Sequence, residues 1–119
     1  MRKAALVTLM LCGMAVFSLA ASAQASGQQK VIEITAKRFE FSPNNLTLKK
    51  GEPVVLRLTS ADVTHGFFSR DIKVDELIEP GKPVEVTVNP QKAGTFTVIC
   101  HHFCGAGHGN MKMTVTVVE

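Results

Sequence analysis

Between Cys100 and Met111 the chain reads CHHFCGAGHGNM, which sets two thiols, an imidazole and a thioether at the spacing CxxxCxxxHxxM. A further imidazole, His65, stands about thirty-five residues upstream. Thiolate and thioether are soft ligands that select copper, zinc or iron-sulfur clusters, and imidazole suits copper and zinc, so the mixture narrows the choice toward copper. Met111 weighs most in that choice, because zinc sites are built from Cys, His and carboxylates.

Two cysteines four apart point at one centre if the loop between them curls, and Gly105, Gly107 and Gly109 give the backbone freedom for the wrap. With His65 arriving from a separate segment, the candidate donors are two Cys, two His and one Met, one more than a four-coordinate metal takes. The surplus suggests two metals. Two coppers bridged by both thiolates would leave each ion one imidazole and one weak axial donor, with Met111 supplying one axial donor and a loop carbonyl the other.

These residues resemble the dinuclear copper A (CuA) domain of cytochrome c oxidase subunit II and of the C-terminal domain of nitrous oxide reductase, whose pattern is a distant His followed by CxxxCxxxHxxM. His65, Cys100, Cys104, His108 and Met111 all match, and the likeness runs from about Val31 onward, including Asp62-Val63-Thr64-His65-Gly66-Phe67. The resemblance implies that Cys100 and Cys104 bridge the coppers, that His65 and Met111 complete one ion, and that His108 with the carbonyl of His102 completes the other. His102 stands where the oxidase subunit usually has a Glu whose side chain helps hold a second metal against the catalytic subunit. The carbonyl role does not depend on that side chain.

Other readings of the same residues stay open. Cys100 and Cys104 could pair as a disulfide in an oxidising compartment. A mononuclear blue-copper site could use His65, Cys104, His108 and Met111, leaving Cys100 without a role. The chain could store or hand on copper, or serve as a detached, subunit-II-like partner of a terminal oxidase. The expected partners are a redox protein such as a c-type cytochrome or a membrane oxidase, together with a copper chaperone or thiol reductant that keeps the thiols loadable. No Ser/His/Asp set, paired carboxylates or phosphate loop appears, so the chain reads as an electron carrier and not an enzyme.

The elements that must position these donors come from a chain of 119 residues, 45% hydrophobic and 19% charged, enough for one small domain. Arg2 and Lys3 precede an apolar run from Ala4 to about Ala20, and Ala21-Ser22-Ala23 offers a small-x-small cleavage site, so residues 1–23 read as a secretory signal peptide. The alternative is an uncleaved membrane anchor. Cleavage places the mature protein in the periplasm or outside the cell and discards Cys12. It also removes two of the basic residues behind the formal net charge of +3, and no basic face for nucleic acid is indicated. Residues 24–29 are a polar lead-in and residues 30–119 the domain.

Within that domain the pattern is one of short alternating strands. Ile32, Ile34 and Ala36 share a face, and Phe39 and Phe41 fall one step out of phase, which predicts a bulge at Lys37-Arg38. Leu46 to Leu48, then Val54, Leu56 and Leu58, then Val84, Val86 and Val88 continue the alternation. Arg70 to Glu79 reads as a charged, irregular connection with room for one helical turn. Phe96, Val98 and Cys100 share a face, as do Met111, Met113, Val115 and Val117, so the ligand loop joins two adjacent strands. About seven strands with regular turn signals describe an all-β, Greek-key β-sandwich, and the resemblance adds the name cupredoxin. Met113 is expected in the core, and His101 and His102 near solvent. Phe67, Phe68 and Phe103 are expected to form an apolar patch around the metal.

Overall fold

The computed structural model describes residues 29–119, so the cleavage site and Cys12 lie outside the described residues. The elements are β1 (Lys30–Lys37), β2 (Glu40–Ser42), β3 (Asn45–Lys49), β4 (Val54–Ser60), β5 (His65–Ser69), β6 (Val74–Ile78), β7 (Val84–Val88), β8 (Gly94–Ile99), a 3-10 turn (His108–Asn110) and β9 (Lys112–Val118). They form a sandwich of a four-stranded sheet, β2-β1-β4-β7, and a five-stranded sheet, β3-β9-β8-β5-β6. Among the described residues no helix is long and apolar enough to cross a membrane.

Alternation does what the sequence requires of it. Ile34, Ala36, Leu56 and Leu58 point inward from the first sheet, and Val98, Met113, Val115 and Val117 from the second, all at 3% exposure or less. Met113 is therefore a core residue. Phe41 of the first sheet meets Phe67 of the second edge to face, with centroids 5.5 Å apart and planes at 88°, a favoured arrangement for two aromatic quadrupoles.

Three expectations need correction. The slip at Lys37-Arg38 is a reversal and not a bulge: Lys37 pairs with Glu40 across a tip made of Arg38 and Phe39, and β2 runs antiparallel to β1. The segment after Arg70 contains a strand and no helical turn, so nine strands form where about seven were expected. In β6, Val74 and Ile78 are buried and pair with β5, while Asp75 and Leu77 face out. The charges that hide its alternation belong to an edge strand, where they discourage pairing with another chain. Phe67 is fully buried and takes no part in a surface patch. Phe68 is partly exposed and Phe103 is 74% exposed.

Topology brings the distant histidine to the loop. The strand β8 pairs with both β5 and β9, and Phe68 is opposite Ile99. His65 opens β5 and Cys100 follows β8, so both stand at the same end of the sandwich. Gly66 makes the approach possible, since a Cβ there would lie 2.1 Å from His101 Nδ1.

Candidate metal centre

The strand ends and the loop collect the donors at one buried point. Cys100 Sγ lies 4.0 Å from His65 Nδ1 and 3.7 Å from Cys104 Sγ. Cys104 Sγ lies 3.8 Å from His108 Nδ1 and 3.8 Å from Met111 Sδ. The carbonyl oxygen of His102 is 3.1 Å from Cys100 Sγ, while the residue as a whole is exposed to solvent. The ligand atoms of His65, Cys100 and Cys104 all lie within 4.8 Å of one another. Thus five side chains and one carbonyl converge, and His102 contributes backbone and not imidazole.

Both thiols are free and buried. A sulfur separation of 3.7 Å is far beyond a covalent bond of about 2.05 Å, so the pair is not a crosslink. The cluster of one imidazole and two thiols fits a cysteine-bridged copper site, because soft sulfur donors and a borderline nitrogen meet where water is excluded.

Burial pushes the Cys104 thiol up to about 11; its hydrogen bond with Cys100 and the nearby Asp62 charge push the same way, against the pull of Arg38. The thiol proton is therefore held firmly until a cation displaces it.

Asp62 organises the histidine side. Its Oδ1 accepts from His65 Nε2 at 2.7 Å and from the Val63 amide at 2.6 Å, and its Oδ2 accepts from the Arg38 amide at 2.7 Å. Partial burial alone would raise its pKa, but these bonds hold the carboxyl down at about 2. An ionised acceptor at Nε2 keeps the proton there and turns the Nδ1 lone pair toward Cys100, the usual way an outer carboxylate fixes a histidine ligand.

Sequence reasoning gave no role to Asp62, Arg38, Phe39 or Asp75. Arg38 Nε donates to the Cys104 carbonyl at 3.0 Å, and an open hollow of about 260 Å³ lies beside Arg38, Thr64, His102, Phe103 and Cys104. His101 stacks on Phe68 with centroids 5.3 Å apart and bonds Asp75 Oδ1 through Nε2 at 2.7 Å. Phe103 sits 5.8 Å from the His108 ring. Of these, Asp62 had a local signal, a carboxylate three residues before the ligand. The others come from strands whose pairing brings them in.

Known proteins show the same arrangement of sequence. A model of the cupredoxin-like domain matches residues 8–117. Cytochrome c oxidase subunit 2 of Thermus thermophilus is 31% identical over 96 residues, covering 81% of this chain and 71% of that protein. The chain covers 57% of a second subunit 2, from another strain of the same species. Nitrous-oxide reductase of Cupriavidus necator is 34% identical over 96 residues, covering 77% of this chain but 15% of the enzyme. Among solved structures, a chain of a heme-copper terminal oxidase dimer superposes with a TM-score of 0.69 at 27% identity, over 76% of this chain and 66% of that one. The periplasmic domain of subunit II of cytochrome oxidase from Bradyrhizobium japonicum shares the fold, with a TM-score of 0.69 at 22% identity, over 76% of this chain and 84% of that one. Matched over nearly its whole length by one domain model and over most of a subunit 2, the chain belongs to the cupredoxin-like family.

Proposed function

We propose that this chain is an exported electron-transfer protein whose loop end holds a dinuclear, CuA-type copper centre. The carrying observation is the pair of free, buried sulfurs 3.7 Å apart, each with an imidazole nitrogen within 4.0 Å. Cys100 and Cys104 would bridge the metals, His65 and His108 would each cap one, and Met111 and the His102 carbonyl would be the weak axial donors. When bound, such a pair supplies one-electron transfer with the charge shared between two ions. A mononuclear reading leaves Cys100 Sγ idle in a buried position beside the other donors.

The protein's own contribution is rigidity and dryness. Cys100 ends β8, Met111 precedes β9 and His65 opens β5, so three paired strands hold donors against displacement. His65, Cys100, Cys104 and Met111 are each 5% exposed or less, which keeps water from the sulfurs. Asp62 holds the His65 proton on Nε2.

Similarity to subunit 2 and nitrous-oxide reductase sequences supports a place outside the cytoplasm, and residues 1–23 supply a signal peptide for reaching it. It also supports a redox protein as partner, of the c-type cytochrome or membrane-oxidase kind. Two thiols in an oxidising compartment need a thiol reductant or copper chaperone before loading.

Native mass spectrometry of the reduced, copper-loaded chain, with electron paramagnetic resonance, tests the reading. Two coppers per chain and hyperfine structure from an electron shared equally by both nuclei are expected. One copper with a localised electron would refute the dinuclear centre. Rapid loss of copper to a mild chelator would favour a copper-handling role instead.

A further inference from the structure

The tip of the β1-β2 hairpin touches both halves of the ligand set from the opposite sheet. The Arg38 amide donates to Asp62 Oδ2 at 2.7 Å, and Asp62 Oδ1 passes that tie to His65 Nε2 at 2.7 Å. The Arg38 guanidinium donates through Nε to the Cys104 carbonyl at 3.0 Å, a contact spanning 66 positions of sequence. Phe39 lies against the loop backbone: a Cβ added to Gly105 would stand 2.9 Å from its ring, and one on Gly107 2.6 Å.

The loop's own bonds are short in range. Cys100 bonds the Met111 carbonyl, and His108, Asn110 and Met111 bond carbonyls three residues back. They shape the turn but do not anchor it to the four-stranded sheet. Arg38 and Phe39 do, and they account for two otherwise unexplained features. Phe39 keeps 39% of its surface exposed because its ring covers glycine backbone and not core. Gly107 has an ordinary backbone angle, φ −89°, so the residue there is small to admit the ring and not to permit a left-handed turn.

The geometry points to Arg38 and Phe39 as positioning residues, a strap that holds the Cys104-His108 half of the loop at a fixed separation from His65 while Arg38 places a permanent positive charge beside the metal pair. This rests on the copper reading above. A guanidinium is suited to the task, since its planar fork fixes direction as well as charge, whereas lysine offers charge alone. A cation fixed near the site favours the form carrying the extra electron, so its removal disfavours reduction.

The test uses the full chain as wild type, Arg38→Gln, Arg38→Lys and Phe39→Ala. In copper-free protein, amide hydrogen exchange over residues 105–110 is expected to quicken about tenfold in all three variants, because each loses part of the anchor. In copper-loaded protein, Arg38→Gln is expected to lower the reduced-to-oxidised ratio at fixed potential about three- to tenfold, tenfold being about 59 mV for one electron. Arg38→Lys should restore that ratio without restoring the exchange protection. Unchanged loop exchange in Arg38→Lys and Phe39→Ala overturns the strap, even if Arg38→Gln fails to fold. Equal potentials in all Arg38 variants overturn the charge role. A wild type that binds no copper pair sinks the functional reading, while the exchange measurement on copper-free protein still decides the strap.

Discussion

Replacing Asp62 separates a positioned histidine from one that is merely nearby. The carboxylate accepts three short bonds, from Arg38 N, Val63 N and His65 Nε2, at 2.6 to 2.7 Å. A bond to a charged acceptor contributes about 1.5–3 kcal/mol when shielded. This side chain is 31% exposed, so water takes over part of each lost bond, and Asp62→Ala should cost the copper-free fold about 2 kcal/mol in all. The cost to the site is separate. Without an acceptor at Nε2 the His65 proton can move to Nδ1 and block the donor facing Cys100, and loss of such an outer partner typically lowers metal affinity about 10- to 100-fold, or about 1.4–2.7 kcal/mol. Asp62→Asn should fall between, because its oxygen still serves His65 and Val63 but its NH₂ confronts the Arg38 N–H. The pH dependence has a defined sign. With its carboxyl held at about 2 against an ordinary 3.8, Asp62 adds stability that is fully present above pH 3.8 and is lost as pH falls toward 2. Nitrogen NMR of His65, denaturant melts and competition with a copper chelator measure the three consequences. If Asp62→Ala left the tautomer and the copper affinity as in wild type, the tautomer argument would be refuted.

Two further outcomes are expected. Copper-free protein should lose stability as pH rises from about 9 toward 11, since the Cys104 pKa is raised from 9.0 to about 11 and its contribution is complete below the lower value; copper-loaded protein, its thiols already deprotonated, should show no such loss in melts over that range. Phe67→Ala should destabilise the domain by about 3–5 kcal/mol in denaturant titration, whereas Phe103→Ala, 74% exposed, should stay within about 0.5 kcal/mol yet slow electron exchange with a redox protein. Equal exchange rates for Phe103→Ala and wild type would remove Phe103 from the docking surface.

How much was legible follows from where each interaction lies along the chain. Alternation in Ile32-Ile34-Ala36, Val54-Leu56-Leu58 and Met111-Met113-Val115-Val117 is a local signal of period two, and it located strands and core before any contact was known. Spacing CxxxCxxxHxxM is local too: a glycine-bearing loop between two adjacent strands can bring Cys100, Cys104, His108 and Met111 to one point. The β6 strand was hidden because an edge tolerates charges on positions that alternation would reserve for apolar residues. The reversal at Arg38-Phe39 was hidden because a tight turn and a bulge shift the pattern by the same single step.

The sequence by itself therefore determined the donor chemistry, four of the five side-chain donors as one group, and an all-β scaffold. Only the tertiary structure decided that His65 stands 4.0 Å from Cys100 Sγ, that the two sulfurs remain separate, and that Asp62, Arg38 and Phe39 brace the set. The physical reason is pairing: β8 lies between β5 and β9, and the hairpin tip of one sheet reaches the loop of the other. Contacts across 34 to 66 positions are written in strand order and sheet packing, which no local period records.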